Sequence, residues 1–161
     1  MNKCRVLISV WLLMMFSLSA QAMALKTWEG EDSSLQQQVG KGKWSVVIFW
    51  RHDCEFCKRE VPGLSAFHER NKDSVAEVLG VNIDGYANKT LAEEFVAENK
   101  PTFPSVIAEL RTVGLSFQQL TEEGLRGTPT YMLFNPVGQL VAIQPGLIDP
   151  IDIETFIAQR S

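Results

Sequence analysis

Cysteine is scarce in this chain: three residues in 161, at Cys4, Cys54 and Cys57. A disulfide-stapled scaffold carries several pairs, so that class is excluded. Histidine is scarcer, with only His52 and His68, which leaves few ligands for a metal centre. Basic residues do not dominate, since 15 Lys and Arg stand against 19 Asp and Glu for a net charge of −4. That balance gives no electrostatic reason to bind nucleic acid or anionic lipid. Repeats and low-complexity tracts are also missing. What remains is 45% hydrophobic and 21% charged, the composition of one globular domain with an ordinary core.

The long apolar run is confined to the start. Lys3 and Arg5 precede a nearly unbroken apolar stretch from Val6 to Ala20. Two small-x-small sites follow, at Ala20-Gln21-Ala22 and Ala22-Met23-Ala24. This is the order of a secretory signal peptide, expected over residues 1–24 with cleavage after Ala22 or Ala24, and the domain over 25–161. An uncleaved anchor is the alternative, because the run approaches the roughly 18 residues of a membrane span. Cys4 lies ahead of the apolar run, whereas a lipoprotein cysteine would follow it, so it is expected to be discarded. Loss of Lys3 and Arg5 takes the basic residues from 15 to 13 against 19 acids. The exported domain is then more acidic, and its two cysteines sit in one stretch, "FWRHDCEFCKREVPG".

The remaining chain alternates strand and helix patterns. Ser34 to Val39 reads as a short capped helix closed by Gly40-Lys41-Gly42. Trp44 to Trp50 is apolar on both faces, as in a buried central strand. Glu55 to about Arg70 reads as a helix with Val61, Leu64, Phe67 and His68 on one face and a kink at Pro62. Glu77 to Asp84 reads as a second strand. Asn88 to Lys100 reads as a helix with Leu91 and Phe95 inward, ended by Pro101. Ser105 to Ala108 reads as a short strand and Ser116 to Glu123 as a short helix. Thr130 to Ile143 has the pattern of a hairpin around Asn135-Pro136-Val137-Gly138. The last helix has Asp149 as cap, Pro150 in its first turn, and Ile153, Phe156 and Ile157 buried. The order implies a mixed α/β sheet flanked by helices.

Cys54 and Cys57 therefore fall where a buried strand turns into a helix. Residues three apart on a helix lie roughly 5–6 Å from one another, within disulfide range. As a staple the ring is weak, worth about 2 kcal/mol by loop entropy. The unpaired N–H groups and positive dipole end of a helix stabilise a thiolate. An N-terminal nucleophile with a resolving thiol one turn on suits disulfide exchange. Two other readings stay open: a structural disulfide, and copper(I) held by His52, Cys54 and Cys57. His68 cannot join such a site, since eleven helical residues separate it from Cys57 by roughly 16 Å.

"VVIFWRHDCEFCKREVPGL", "VLGVNIDGY" and "GLRGTPTYMLFNPVGQLVAIQPG" together resemble the exported TlpA/ResA-like thioredoxin-fold thiol–disulfide oxidoreductases. The resemblance runs from about Val46 to the C-terminus. It implies a thioredoxin-like fold with a cis peptide at Thr128-Pro129 beside the cysteines, and a TlpA-type insertion between Asp84 and Pro129. It implies catalysis by Cys54 and Cys57 through a redox-active disulfide, without a cofactor or metal. The partners implied are client proteins bearing disulfides or CxxC motifs, as in cytochrome c maturation or copper-site assembly, and a membrane thiol electron donor. A periplasmic monomer is expected.

Glu60 has two readings. It is either a solvated helix glutamate or, one turn beyond Cys57, a proton handler for the resolving thiol. ResA-like members carry glutamate at this place of CxxCxxE, whereas the acid that thioredoxin places six residues before its first cysteine is here Ile48. The chain also departs from its family: Asp53 stands where tryptophan is usual. Asp53 and Glu55 disfavour a thiolate, while Arg51, Lys58 and Arg59 favour it. The near-cancellation predicts a reducing couple, hence a reductase; an oxidase or isomerase is the alternative. Phe56, Thr128 and Pro129 are expected to form the docking surface.

Overall fold

The computed structural model describes residues 22–160. Residues 1–21 of the signal segment expected over 1–24, with its apolar run and Cys4, lie outside the described residues. Seven strands form a single mixed sheet in the order β2-β1-β5-β4-β3-β6-β7. They are β1 (Ala24–Lys26), β2 (Asp32–Ser34), β3 (Trp44–Trp50), β4 (Ala76–Asn82), β5 (Ser105–Ile107), β6 (Thr130–Phe134) and β7 (Leu140–Pro145). Strands β3, β4 and β5 run parallel, and β6 pairs antiparallel to β3. The helices are α1 (Leu35–Gln38), α2 (Glu55–Asn71), α3 (Lys89–Asn99), α4 (Leu110–Thr121) and α5 (Pro150–Ala158). Among the described residues no helix is long and apolar enough to cross a membrane.

The central strand follows directly from its composition. All seven residues of β3 are buried, because helices cover both faces and neither can be polar. One face carries Val47 and Phe49 into a core with Leu79, Val81, Met132 and Phe134. The other carries Val46 and Ile48 against Leu64 and Phe67 of α2, with Tyr131 and Ile153. Helix α2 runs unbroken through Pro62 and buries Val61, Leu64, Phe67 and His68. His68 is a core histidine: its Nδ1 accepts from Val78 N at 3.1 Å, and burial holds the imidazole pKa below its ordinary value.

Several expectations need correction. Leu91 is exposed; Ala92 and Phe95 are the buried residues of α3. Strand β4 begins at Ala76 and ends at Asn82, two residues before the expected Asp84. Helix α4 begins at Leu110 rather than Ser116, six residues early. Phe156 is only partly buried, at the rim of the Ile153 and Ile157 face. The β1–β2 hairpin has no counterpart in the sequence reading, because strands of three residues with the polar sequence Asp-Ser-Ser leave no detectable period. The stretch between Asp84 and Pro129 holds α3, β5 and α4. At the other end the fold starts before Leu25: Met23 is fully buried and its carbonyl accepts from Leu35 N at 2.9 Å.

Candidate active site

The strand-to-helix turn from Arg51 to Cys57 carries the chemistry. Cys54 is the N-cap of α2 with extended backbone, and Cys57 N donates to its sulfur at 3.1 Å. Cys54 and Cys57 form a disulfide with a Cα separation of 5.2 Å, as their spacing predicts. The two residues differ in exposure: Cys54 is 8% exposed and Cys57 1%. An incoming disulfide meets Cys54 first, and the buried Cys57 suits the resolving role.

The charges around the turn are already paired. Arg51 Nε lies 3.1 Å from Asp53 Oδ1 and 3.4 Å from Asp84 Oδ1. Lys58 donates to Glu55 at 2.8 Å, and Arg59 lies over the Phe56 ring at 4.6 Å. Among the described residues no cation bonds to the Cys54 sulfur, so a Cys54 thiolate is served chiefly by the helix N-terminus and the Cys57 amide.

Asp84, which the sequence places only at a strand end, anchors this turn. Its Oδ2 accepts from His52 N at 2.8 Å and from Asn82 Nδ2 at 2.7 Å. His52 Nδ1 stands 3.0 Å from Oδ1 without the alignment of a hydrogen bond. Burial alone would raise the Asp84 pKa, but these contacts from Asn82 and His52 outweigh it and hold the carboxyl below its usual value. An acid just past the end of β4 and 32 residues from its partner His52 leaves no local pattern to read. Two ligands of the copper reading, Cys54 and Cys57, are joined to each other in a disulfide here. His52 faces Asp84, and the ligand atoms that do converge, within 4.8 Å, are those of His52, Asp53 and Asp84, whose carboxylates already serve Arg51 and His52.

Glu60 is half-buried and anchored rather than free in solvent. Its Oε2 accepts from the Tyr131 hydroxyl at 2.5 Å and from Ile148 N at 3.1 Å. Tyr131 is fully buried; burial, then the hydrogen bond and charge of Glu60, push its phenol pKa up strongly. Glu60 also lines an open pocket with Arg59, Leu147, Ile148 and Asp149.

Phe56, Thr128 and Pro129 come together as the sequence places them. They line a groove of about 390 Å³ with Arg126, Pro145 and Leu147. Phe56 is 52% exposed, and the Thr128–Pro129 peptide is cis. The groove walls are mostly apolar, and Arg126 supplies its one charge.

Comparison with protein families matches residues 17–143 to the AhpC/TSA family. The chain is 29% identical over 117 residues, 72% of its length, to sporulation thiol-disulfide oxidoreductase A of Bacillus subtilis, and spans 66% of that protein. It is also 29% identical over 133 residues to thiol-disulfide oxidoreductase ResA of Halalkalibacterium halodurans, covering 83% of this chain and 70% of that one. The crystal structure of the thioredoxin domain of a thiol-disulfide oxidoreductase from Bacteroides vulgatus superposes with a TM-score of 0.68 at 25% identity, covering 86% of this chain and 94% of the other. The thioredoxin-like fold is thus shared with a named thiol-disulfide oxidoreductase, and sequence similarity extends to two others.

Proposed function

The chain belongs to the AhpC/TSA family, and from that premise we propose that it is an exported thiol–disulfide oxidoreductase acting as a reductase of disulfides in client proteins. The observation that carries the reading is the disulfide between the N-cap Cys54, 8% exposed, and the more deeply buried Cys57 one helical turn away. The reduced Cys54 thiolate attacks a client disulfide, and one client sulfur leaves as a thiolate. Cys57 then loses its proton and attacks Cys54, releasing the second client thiol and restoring the Cys54–Cys57 bond. Two electrons pass to the client and no further cofactor is required.

Glu60 receives the Cys57 proton in this scheme. Both of its hydrogen bonds fall on Oε2, which leaves Oε1 for proton exchange with the adjoining pocket. Phe56, Thr128 and Pro129 seat the client backbone beside Cys54. The reducing direction is supported by the charge pairing at the turn: a thiolate without a dedicated cation gains little, so the dithiol holds its electrons weakly. A membrane thiol carrier returns the electrons, and export depends on the leader at residues 1–24.

Trapping tests the reading. Cys57→Ser expressed in its host should accumulate mixed disulfides between Cys54 and a small set of exported proteins. Absence of adducts on Cys54, with adducts present on a control oxidoreductase, would overturn it.

A further inference from the structure

The buried side of Cys57 contains polar atoms that the exchange scheme leaves unused. In the parallel register Ile48 pairs with Gly80 and Gly80 with Ser105. That row lies beneath α2, with Trp50 two residues along β3 on the same face. Trp50 Nε1 and Ser105 Oγ are both buried without a hydrogen-bond partner, although Trp50 is only 3% exposed. Such atoms cost about 1–3 kcal/mol each if left unsatisfied. Gly80 is what lets them approach: a Cβ there would stand 2.3 Å from Ser105 Oγ and 2.9 Å from Trp50 Nε1. Both residues line a small cavity of about 10 Å³ with Cys57, Ile48, Val61 and Phe95. One water needs roughly 10–15 Å³ and two to four polar partners. The cavity meets that volume at its lower limit, and Cys57 lines it beside Trp50 and Ser105, whose Nε1 and Oγ are the unpartnered atoms.

We propose that Trp50 and Ser105 hold one water against the buried face of Cys57, and that this water solvates the Cys57 thiolate during resolution. Trp50 Nε1–H donates to the water oxygen, Ser105 Oγ accepts one water hydrogen, and the other points at the sulfur. The rest of the cavity wall carries no titratable group: β3 presents Ile48 and Trp50, α3 Phe95, β5 Ser105, and the preceding turn Pro101 and Phe103. On α2 itself Lys58 and Glu60 flank Cys57; Lys58 is paired with Glu55, and Glu60, the proton acceptor of the scheme above, is a carboxylate that offers no hydrogen to a thiolate. Without a local donor, a thiolate in this apolar site is strongly disfavoured. Ser105 is accordingly a positioning residue, acting on Cys57 through the water. The mechanistic consequence rests on the exchange reading above, whereas the water site does not.

Ser105→Ala removes the anchor while deleting an unpartnered hydroxyl. In a Cys54→Ser background, thiolate absorbance against pH should show the Cys57 pKa raised by about one unit, the effect of one hydrogen bond to a charged group. With Cys54 intact, resolution of a preformed mixed disulfide should respond in two opposite ways. Near neutral pH a tenfold loss of thiolate is offset by greater intrinsic nucleophilicity, leaving resolution roughly 3-fold slower. Above both pKa values the variant should be roughly 3-fold faster. A purely structural defect would not produce that crossover. An unchanged Cys57 pKa would overturn the proposal, as would a high-resolution crystal structure of the unsubstituted protein with no water between Ser105 Oγ, Trp50 Nε1 and Cys57. If the pKa moves but the unsubstituted protein reduces no disulfide, the exchange reading falls and the water site stands.

Discussion

Replacing Tyr131 by phenylalanine isolates the buried hydrogen bond that fixes Glu60. The ring is fully buried in the sheet core, so the substitution keeps its volume and removes one hydroxyl. The hydroxyl donates to Glu60 Oε2 at 2.5 Å, and a hydrogen bond to a charged acceptor is worth about 1.5–3 kcal/mol. At neutral pH the variant should be less stable by about that amount. The deficit should then shrink with alkali. The Tyr131 phenol has its pKa raised in the folded state, so the folded protein keeps a proton that the unfolded chain loses near pH 10. That contribution is complete below about pH 10 and is lost above it at about 1.4 kcal/mol per pH unit. The two stability curves should run parallel up to about pH 9 and converge between about pH 10 and 12. Urea unfolding followed by circular dichroism, with the cysteines kept oxidised, reads the difference directly. A difference that stays constant through the alkaline range would refute the assigned bond and its coupling to Glu60.

Three further outcomes follow from the same contacts. Glu60→Gln should keep the fold but slow exchange by roughly 10-fold or more and flatten its dependence between about pH 5 and 9; unchanged pH–rate profiles would remove Glu60 from the proton path. Asp84→Ala should cost about 2–3 kcal/mol, since it strands the His52 amide and Asn82. Because the folded Asp84 pKa is lowered, its contribution is held above the ordinary value near 3.8 and lost as pH falls through the folded one, so acid titration of the unsubstituted protein but not of the variant should show it. Met23 is fully buried, and Met23→Ala should lose about 2–5 kcal/mol. Under the proposed export, the mature chain should therefore begin at or before Met23 by mass spectrometry, and a stable product beginning at Leu25 would contradict the packing.

The parts legible in sequence were those with a local cause. β3 is a continuous apolar run because both of its faces are covered, and α2 announces itself through Val61, Leu64 and Phe67 on one stripe. The Asp149 cap with Pro150 marks α5, and its side chain does accept from Ile151 N at 2.9 Å. Cys54 and Cys57 were legible because their chemistry depends on a three-residue spacing. What escaped depends on distant partners. Glu60 could be named but not its clamp, because Tyr131 lies 71 residues away. Asp84 and Ser105 reach the site only through the sheet register, and nothing in their neighbouring residues marks them. Leu91 was misplaced because Ala92 fits the same helical stripe one position along, and a small residue at a close helix contact carries no hydrophobic signal. The start of α4 was hidden by Gly114, which weakens the helical pattern from inside.

The reduction potential of the Cys54–Cys57 couple tests the central claim most directly. Equilibration with a thiol redox buffer, read by the fraction of free thiol, measures it. Charge pairing at the turn, with Arg51 on Asp53 and Asp84 and Lys58 on Glu55, predicts a reducing value, below about −200 mV and toward the roughly −270 mV of thioredoxin. A value near the roughly −120 mV of strong periplasmic oxidants would contradict it.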